Sequence, residues 1–136
     1  MNQTDLTKTT FRLGELFSGP GGIALGASKG LAKNNVESFS IQHAWASDYD
    51  KDTCETYRNN ICPTSRSSVV CEDVRVLELK SLMKISDIDA LAFGFPCNDF
   101  SIVGEQKGTD GVFGPLYSYG IEVFKYFQPK WFLAEN

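Results

Sequence analysis

The sequence predicts an α/β protein, doubly wound around a mostly parallel sheet. Apolar runs of strand length alternate with amphipathic stretches of helix length from Phe11 to the last residue. Each run stops at a glycine, proline or acidic residue, which is how strands in such sheets hand over to loops. The run Ile88 to Phe95 is almost continuously apolar, as a strand covered on both faces must be. With 136 residues, 42% of them hydrophobic, the chain has enough apolar surface for one core and too little for two. Residues 1–10 read as a polar tail and 11–136 as a single domain.

The first strand, Phe11 to Phe17, breaks at Ser18-Gly19-Pro20-Gly21-Gly22 and passes into a helical stretch carrying Ile23, Leu25, Ala27 and Leu31. Lys33-Asn34-Asn35 ends it. The second strand, Phe39 to Ser47, stops at Asp48. A charged helix then follows from Lys51 to Asn59, placing Cys54, Tyr57 and Ile61 on one face, and Pro63 terminates it. Ser68 to Cys71 is a short third strand ending at Glu72-Asp73, with a weaker helix through Leu77, Leu79, Leu82 and Met83. Ile88 to Phe95, predicted as the central strand, ends abruptly at Pro96-Cys97. A polar loop, Asn98 to Gly114, leads to a helix over Leu116 to Phe127 and a fifth strand from Trp131 to Ala134, reaching Glu135-Asn136. An apolar edge at Trp131 to Leu133 is left open to association.

Composition excludes several classes. No stretch approaches the roughly 18 to 20 apolar residues of a membrane span, and Met1 to Thr10 lacks the order of a signal peptide, so a cytoplasmic protein without a membrane partner is expected. The formal charge of -4 opposes a self-sufficient nucleic-acid binder, which needs clustered Lys and Arg to neutralise phosphates. Cys54, Cys62, Cys71 and Cys97 are too irregularly spaced for a zinc site or a disulfide framework. With His43 the only histidine, a multi-histidine metal centre is excluded and no metal is expected. His43 and Trp45 read as packing residues.

Ligands of an open parallel sheet bind beyond the carboxyl ends of its strands. At the first end, glycines allow close backbone approach while the following helix offers unpaired N–H groups. Gly19, Gly21 and Ala24 fit the G-x-G-x-x-G/A dinucleotide pattern, although a purely structural turn has the same letters. At the second end, Asp48 is suited to accept hydrogen bonds from a ribose diol, or to cap the next helix; at the third, Asp73 is suited to an adenine amino group. Phe17 and Tyr49 are available to flank adenine. These features point to an adenosine-containing ligand without separating a nicotinamide dinucleotide from S-adenosylmethionine. Asp48, Asp73 and Glu135 make the strand ends acidic, which favours a sulfonium over a pyrophosphate. The fourth end supplies a thiol, Cys97, on a proline-restricted loop, positioned as a nucleophile, whereas Cys54 and Cys71 read as small buried hydrophobes.

The order of these motifs resembles the N-terminal part of the catalytic domain of cytosine-C5 DNA methyltransferases, from about Phe11 to the end. Phe17-Ser18-Gly19-Pro20-Gly21-Gly22 is similar to that family's cofactor loop, Asp48-Tyr49 to its ribose acid and adenine neighbour, and Asp73-Val74 to its third cofactor motif. Gly94-Phe95-Pro96-Cys97-Asn98-Asp99-Phe100-Ser101, extended to Gly108, resembles the catalytic Pro-Cys loop; Glu135-Asn136 resembles the start of a Glu-Asn-Val motif. The resemblance implies a Rossmann-like methyltransferase fold and S-adenosylmethionine as cofactor. It implies that Cys97 attacks C6 of a flipped cytosine while Glu135 binds the base at N3. Phe17, Ser18, Gly19, Gly21, Gly22, Asp48, Tyr49, Asp73, Val74, Pro96 and Leu116 would line the cofactor site, with Ser101 and Gln106 touching double-stranded DNA. The family's arginine-bearing motif, target-recognition region and C-terminal element lie beyond Asn136. A truncated enzyme, a split methyltransferase with a complementary subunit, and an inactive cofactor-binding remnant therefore all stay open, as do an RNA cytosine-C5 methyltransferase and an accompanying restriction nuclease. A nicotinamide-dependent oxidoreductase is the reading from a different class.

Overall fold

The computed structural model describes residues 5–96 and 116–136. Its elements run β1 (Thr7–Leu16), α1 (Gly22–Lys29), β2 (Ala32–Lys33), β3 (Glu37–Asp48), α2 (Lys51–Asn60), β4 (Val69–Cys71), α3 (Leu79–Ile85), β5 (Ala90–Gly94), α4 (Leu116–Phe127) and β6 (Trp131–Glu135). A single sheet has the order β2-β3-β1-β5-β6, with β4 paired to the far half of β3. All pairings are parallel except the short β2–β3 ladder. The chain winds outward from β1 to β3 and β4, then crosses back to β5 and β6 on the other side. Crossovers diverge between β1 and β5, and a crevice opens where they do.

Each face has its own core. Leu16, Trp45, Leu82, Leu91, Phe93, Val123 and Phe127 pack on the side of α3 and α4. On the other side Ala24, Ala46, Cys54, Tyr57 and Val69 lie under α1 and α2. The uninterrupted apolar run of β5 has the expected cause: Ala90, Leu91, Ala92 and Phe93 are all buried. The centre of the sheet is nevertheless β1, flanked by β3 and β5, rather than β5 itself. The edge strand is as exposed as the sequence predicts, with Phe132 and Leu133 about half accessible. No helix among the described residues is long and apolar enough to cross a membrane.

Two boundaries differ from the sequence reading. Thr7 to Thr10, assigned to a polar tail, extend β1 by pairing with Glu37 to Ser40, because β-branched threonines suit a half-exposed ladder. The first helix stops at Lys29 with Gly30 as its cap, and the next residues turn back as β2.

The β1–β3 register slips between Leu13 and Gly14: Leu13 faces His43 but Gly14 faces Trp45, leaving Ala44 as a bulge. Trp45 then lies flat against Gly14, where an added Cβ would stand 2.5 Å from Trp45 Cζ2. Trp45 is fully buried and cannot retreat. Gly14→Ala is therefore expected to destabilise the fold by about 1–3 kcal/mol, read as a lower urea midpoint at unchanged slope.

Candidate cofactor site at the β1–β5 crevice

The glycine turn after β1 is built from backbone conformations that side chains resist. Phe17, Gly19 and Gly21 have φ of 52°, 57° and 105°. Gly21 is confined as well as twisted, since a Cβ there would meet Ile61 Cγ1 at 2.7 Å and Tyr57 Cδ2 at 3.1 Å. Around Gly19 and Gly22, by contrast, a Cβ would meet nothing within 4 Å, so the turn's outer side is open to a ligand. Gly21 is the cap position of α1 and has no side chain to offer, which leaves the first N–H groups of the helix without a local cap.

Asp48 ties this turn to the second strand end. Its Oδ2 accepts the Gly19 N–H at 2.9 Å and its Oδ1 accepts the Asp50 N–H at 3.0 Å. A carboxylate has about four acceptor positions, so two bonds leave capacity for a diol. Asp48 does not cap α2; Asp50 does, accepting from Thr53 N at 2.8 Å. The Thr53 hydroxyl and amide together hold the Asp50 carboxyl below its usual range.

A cavity of about 370 Å³ opens beside these groups, lined by Leu16, Phe17, Ser47, Asp48, Tyr49, Glu72, Asp73, Val74, Arg75, Pro96 and Leu116. Of the residues singled out in the sequence, it gathers Phe17, Asp48, Tyr49, Asp73, Val74, Pro96 and Leu116. Ser18, Gly19, Gly21 and Gly22 form the adjoining turn, with Ser18 N bound to Ser47 O at 3.1 Å. Glu135 stands apart from the lining, at the end of the edge strand opposite Gly94, whose hypothetical Cβ would lie 3.2 Å from Glu135 Oε2. Cys97, Ser101 and Gln106 lie outside the described residues; Pro96, immediately before Cys97, lines the cavity.

Arg75 is a wall residue that sequence reasoning did not single out. It bonds both carboxylate oxygens of Asp73, with Nε at 2.9 and 3.0 Å, and this holds Asp73 down at about pKa 2. Asp73 thus stays ionised at any working pH. The signal was local: an Asp followed two residues later by Arg, in a turn where the Arg75 N–H also returns to Asp73.

Glu15 was also overlooked. It sits one residue before Leu16 in β1, 1% exposed, and neither carboxyl oxygen makes a hydrogen bond of ordinary geometry. Burial pushes its pKa up to about 7, opposed in part by the Tyr57 hydroxyl and the Ala24 amide. A Glu in step with Phe11 and Leu13 on the buried side of a strand was the available signal. His43 does pack, as expected, but through polar contacts: Nδ1 lies 2.9 Å from Tyr57 Oη and Nε2 2.6 Å from Ser68 Oγ. Burial lowers its pKa to about 4, so the ring is neutral. Cys54 is wholly buried, and burial drives its thiol up to about 12, an inert hydrophobe as anticipated. Cys71 is only partly buried, against the same cluster.

A parallel sheet with this strand order, and a glycine turn opening on a crevice at its switch point, defines the Rossmann-like class of doubly wound folds. Within that class, the chain belongs to the C-5 cytosine-specific DNA methylase family, whose model matches residues 11–136. It is 57% identical over 129 residues to type II methyltransferase M.BbvI of Brevibacillus brevis, covering 93% of this chain and 34% of that protein. To M.NgoFVII of Neisseria gonorrhoeae it is 34% identical over 122 residues, 89% of this chain and 29% of the relative. A crystal structure of a prophage-encoded Escherichia coli protein, described as a DNA modification methyltransferase, superposes with a TM-score of 0.62 at 30% identity, over 90% of this chain and 31% of that one. The S. pombe Dnmt2 methyltransferase shares the fold, with a TM-score of 0.53 at 20% identity over 85% of this chain and 32% of that one. The chain spans about a third of the length of the curated relatives it matches.

Proposed function

We propose that this chain is the cofactor-binding and nucleophile-bearing part of a type II DNA cytosine-C5 methyltransferase, working in the cytoplasm on double-stranded DNA together with the remainder of the enzyme or a complementary subunit. The observation that carries the reading is the cavity at the β1–β5 crevice, where three carboxylates and two aromatic rings line the wall beside the glycine turn. The family uses S-adenosylmethionine, and this wall suits it. Among the described residues Asp48, Glu72 and Asp73 outnumber the one lining cation, Arg75, which suits a sulfonium, and about 370 Å³ falls within the range of small-ligand sites. Asp48 would accept the ribose hydroxyls, Asp73 the adenine amino group, and Phe17 or Tyr49 would flank the ring. Gly19 and Gly22 leave room for the chain bearing the sulfur.

When bound, S-adenosylmethionine supplies the methyl group that cytosine C5 takes. The residues of this chain prepare the acceptor. Cys97, as thiolate, forms a bond to C6 of the extruded base, and Glu135 holds the ring at N3 so that the added electron pair accumulates toward C5. Once C5 is methylated and has given up its proton, the C6–S bond breaks and the thiolate leaves with its electron pair, restoring the aromatic ring.

Two measurements test the reading. The enzyme carrying this segment should transfer labelled methyl groups to cytosine in duplex DNA and not to tRNA; transfer confined to tRNA would replace DNA by RNA as the substrate. In calorimetric titration, Asp48→Ala should weaken S-adenosylmethionine binding at least tenfold, or about 1.4 kcal/mol, because a ribose acceptor and the anchor of Gly19 are lost together. Unchanged affinity in that variant would remove Asp48 from the site.

A further inference from the structure

A glycine inside a strand weakens it, so its presence there marks a close approach by something else. Gly14, Gly21 and Gly120 give up their space to the core: Trp45, Ile61 and Phe93 respectively stand 2.5, 2.7 and 2.5 Å from where a Cβ would be. Gly94, the last residue of β5, is different. Beyond its chain neighbours, the three atoms nearest to a Cβ there all belong to Glu135: Oε2 at 3.2 Å, the backbone oxygen at 3.9 Å and Cβ at 4.0 Å. The backbone at this position has no need of glycine, because Gly94 lies in a regular parallel ladder and is not among the glycines of positive φ, Gly19 and Gly21.

The ladder explains how the two residues meet. Parallel pairing sets Gly94 opposite Glu135, so their side-chain positions look toward the same face of the sheet. The earlier rungs on that face set Ala90 opposite Trp131 and Ala92 opposite Leu133, a methyl beside a large side chain. At the last rung the methyl is gone, and a carboxylate oxygen lies against the space it would have filled. Glu135 is exposed at the end of an edge strand, where a long acidic side chain keeps its rotamer freedom unless local shape restricts it.

We propose that Gly94 is a positioning residue, a seat in the backbone of β5 that holds the Glu135 carboxylate at the strand end leading into Pro96 and Cys97. This rests on the function proposed above, in which Glu135 holds the ring that Cys97 attacks. Two groups that must address N3 and C6 of one base tolerate little relative movement, and a displacement of about 1 Å is enough to cost a large factor in rate. A methyl at position 94 meets the mobile tip of an exposed side chain, so it moves the carboxylate and leaves the fold intact. Gly14 faces the immovable Trp45 and has the opposite balance.

The test uses the enzyme that carries this segment. Gly94→Ala should keep its urea midpoint and its affinity for S-adenosylmethionine, while kcat for methyl transfer to cytosine falls at least about tenfold. In a Glu135→Ala background the same substitution should cost less than about twofold, because the group it displaces is gone. Unchanged kcat in Gly94→Ala, or equal losses in the two backgrounds, overturns the proposal. A nuclear Overhauser cross-peak between Gly94 Hα and Glu135 Hγ should show the seat independently of activity, and its absence overturns the proposal as well. If the enzyme transfers no methyl group to cytosine, or if Glu135→Ala leaves transfer unchanged, the functional reading falls and the positioning role with it; the cross-peak then still decides whether the seat exists.

Discussion

Replacing Cys97 by serine is expected to reduce methyl transfer by at least about 10³-fold, or about 4 kcal/mol of transition-state stabilisation, in the enzyme that carries this segment. The size of the effect follows from ionisation. A free thiol titrates near 8.5, so a few per cent is thiolate at neutral pH and modest electrostatic help makes it the main form; a serine hydroxyl has almost no alkoxide to offer. Binding of S-adenosylmethionine should be unaffected, since the proposed adenosine acceptors, Asp48 and Asp73, stand at other strand ends. The two measurements together separate loss of the nucleophile from collapse of the cavity. Transfer that survives in the serine variant would remove Cys97 from the chemistry and leave the chain as a cofactor-binding module.

The second large effect concerns pH and stability. Glu15 has a folded pKa of about 7 against an ordinary 4.5, so the folded state holds a proton that the unfolded state releases. Its contribution is complete below pH 4.5 and is lost as the pH rises through 7. His43 behaves oppositely: its folded pKa of about 4 lies below an ordinary 6.5, so its contribution is present above 6.5 and lost as pH falls through 4. Between about pH 4.5 and 6.5 the two slopes cancel, each near 1.4 kcal/mol per pH unit. The wild-type chain is therefore expected to show a flat stability profile across that window. Glu15→Gln removes one slope and exposes the other, so its stability should climb with pH, gaining about 3 kcal/mol on wild type by pH 7. Urea unfolding at half-unit pH intervals reads the difference directly, and parallel profiles for the two proteins would mean that Glu15 is ionised in the native state.

The strand and helix order was legible because it rests on periodicity, and so were the polar strand ends, because glycine, aspartate and proline interrupt apolar runs visibly. Asp48 and Asp73 could be picked out for this reason, and the cavity gathers both. What escaped was set by contacts across the sheet. Glu15 stands inside an apolar run that reads as a strand with or without it, and its meaning comes from Tyr57 on a helix some forty residues later. Arg75 belongs to no periodic pattern, and its place in the cavity wall is set by its pairing with Asp73. β2, two residues long, is too short to leave a periodic trace, and the extra residue at Ala44 is invisible in a pattern that assumes strict alternation.

That extra residue has a wider consequence. In a regular strand, positions 43 and 45 would look in the same direction, and one of the two chemistries built on them would be lost. The extra residue lets His43 serve the face of the sheet where Tyr57 and Ser68 meet its ring nitrogens and Trp45 the apolar face opposite. The ribbon therefore changes phase halfway along its length, much as a spliced cable can carry two unrelated signals, and shortening it by a single unit at that join would be felt on both sides at once.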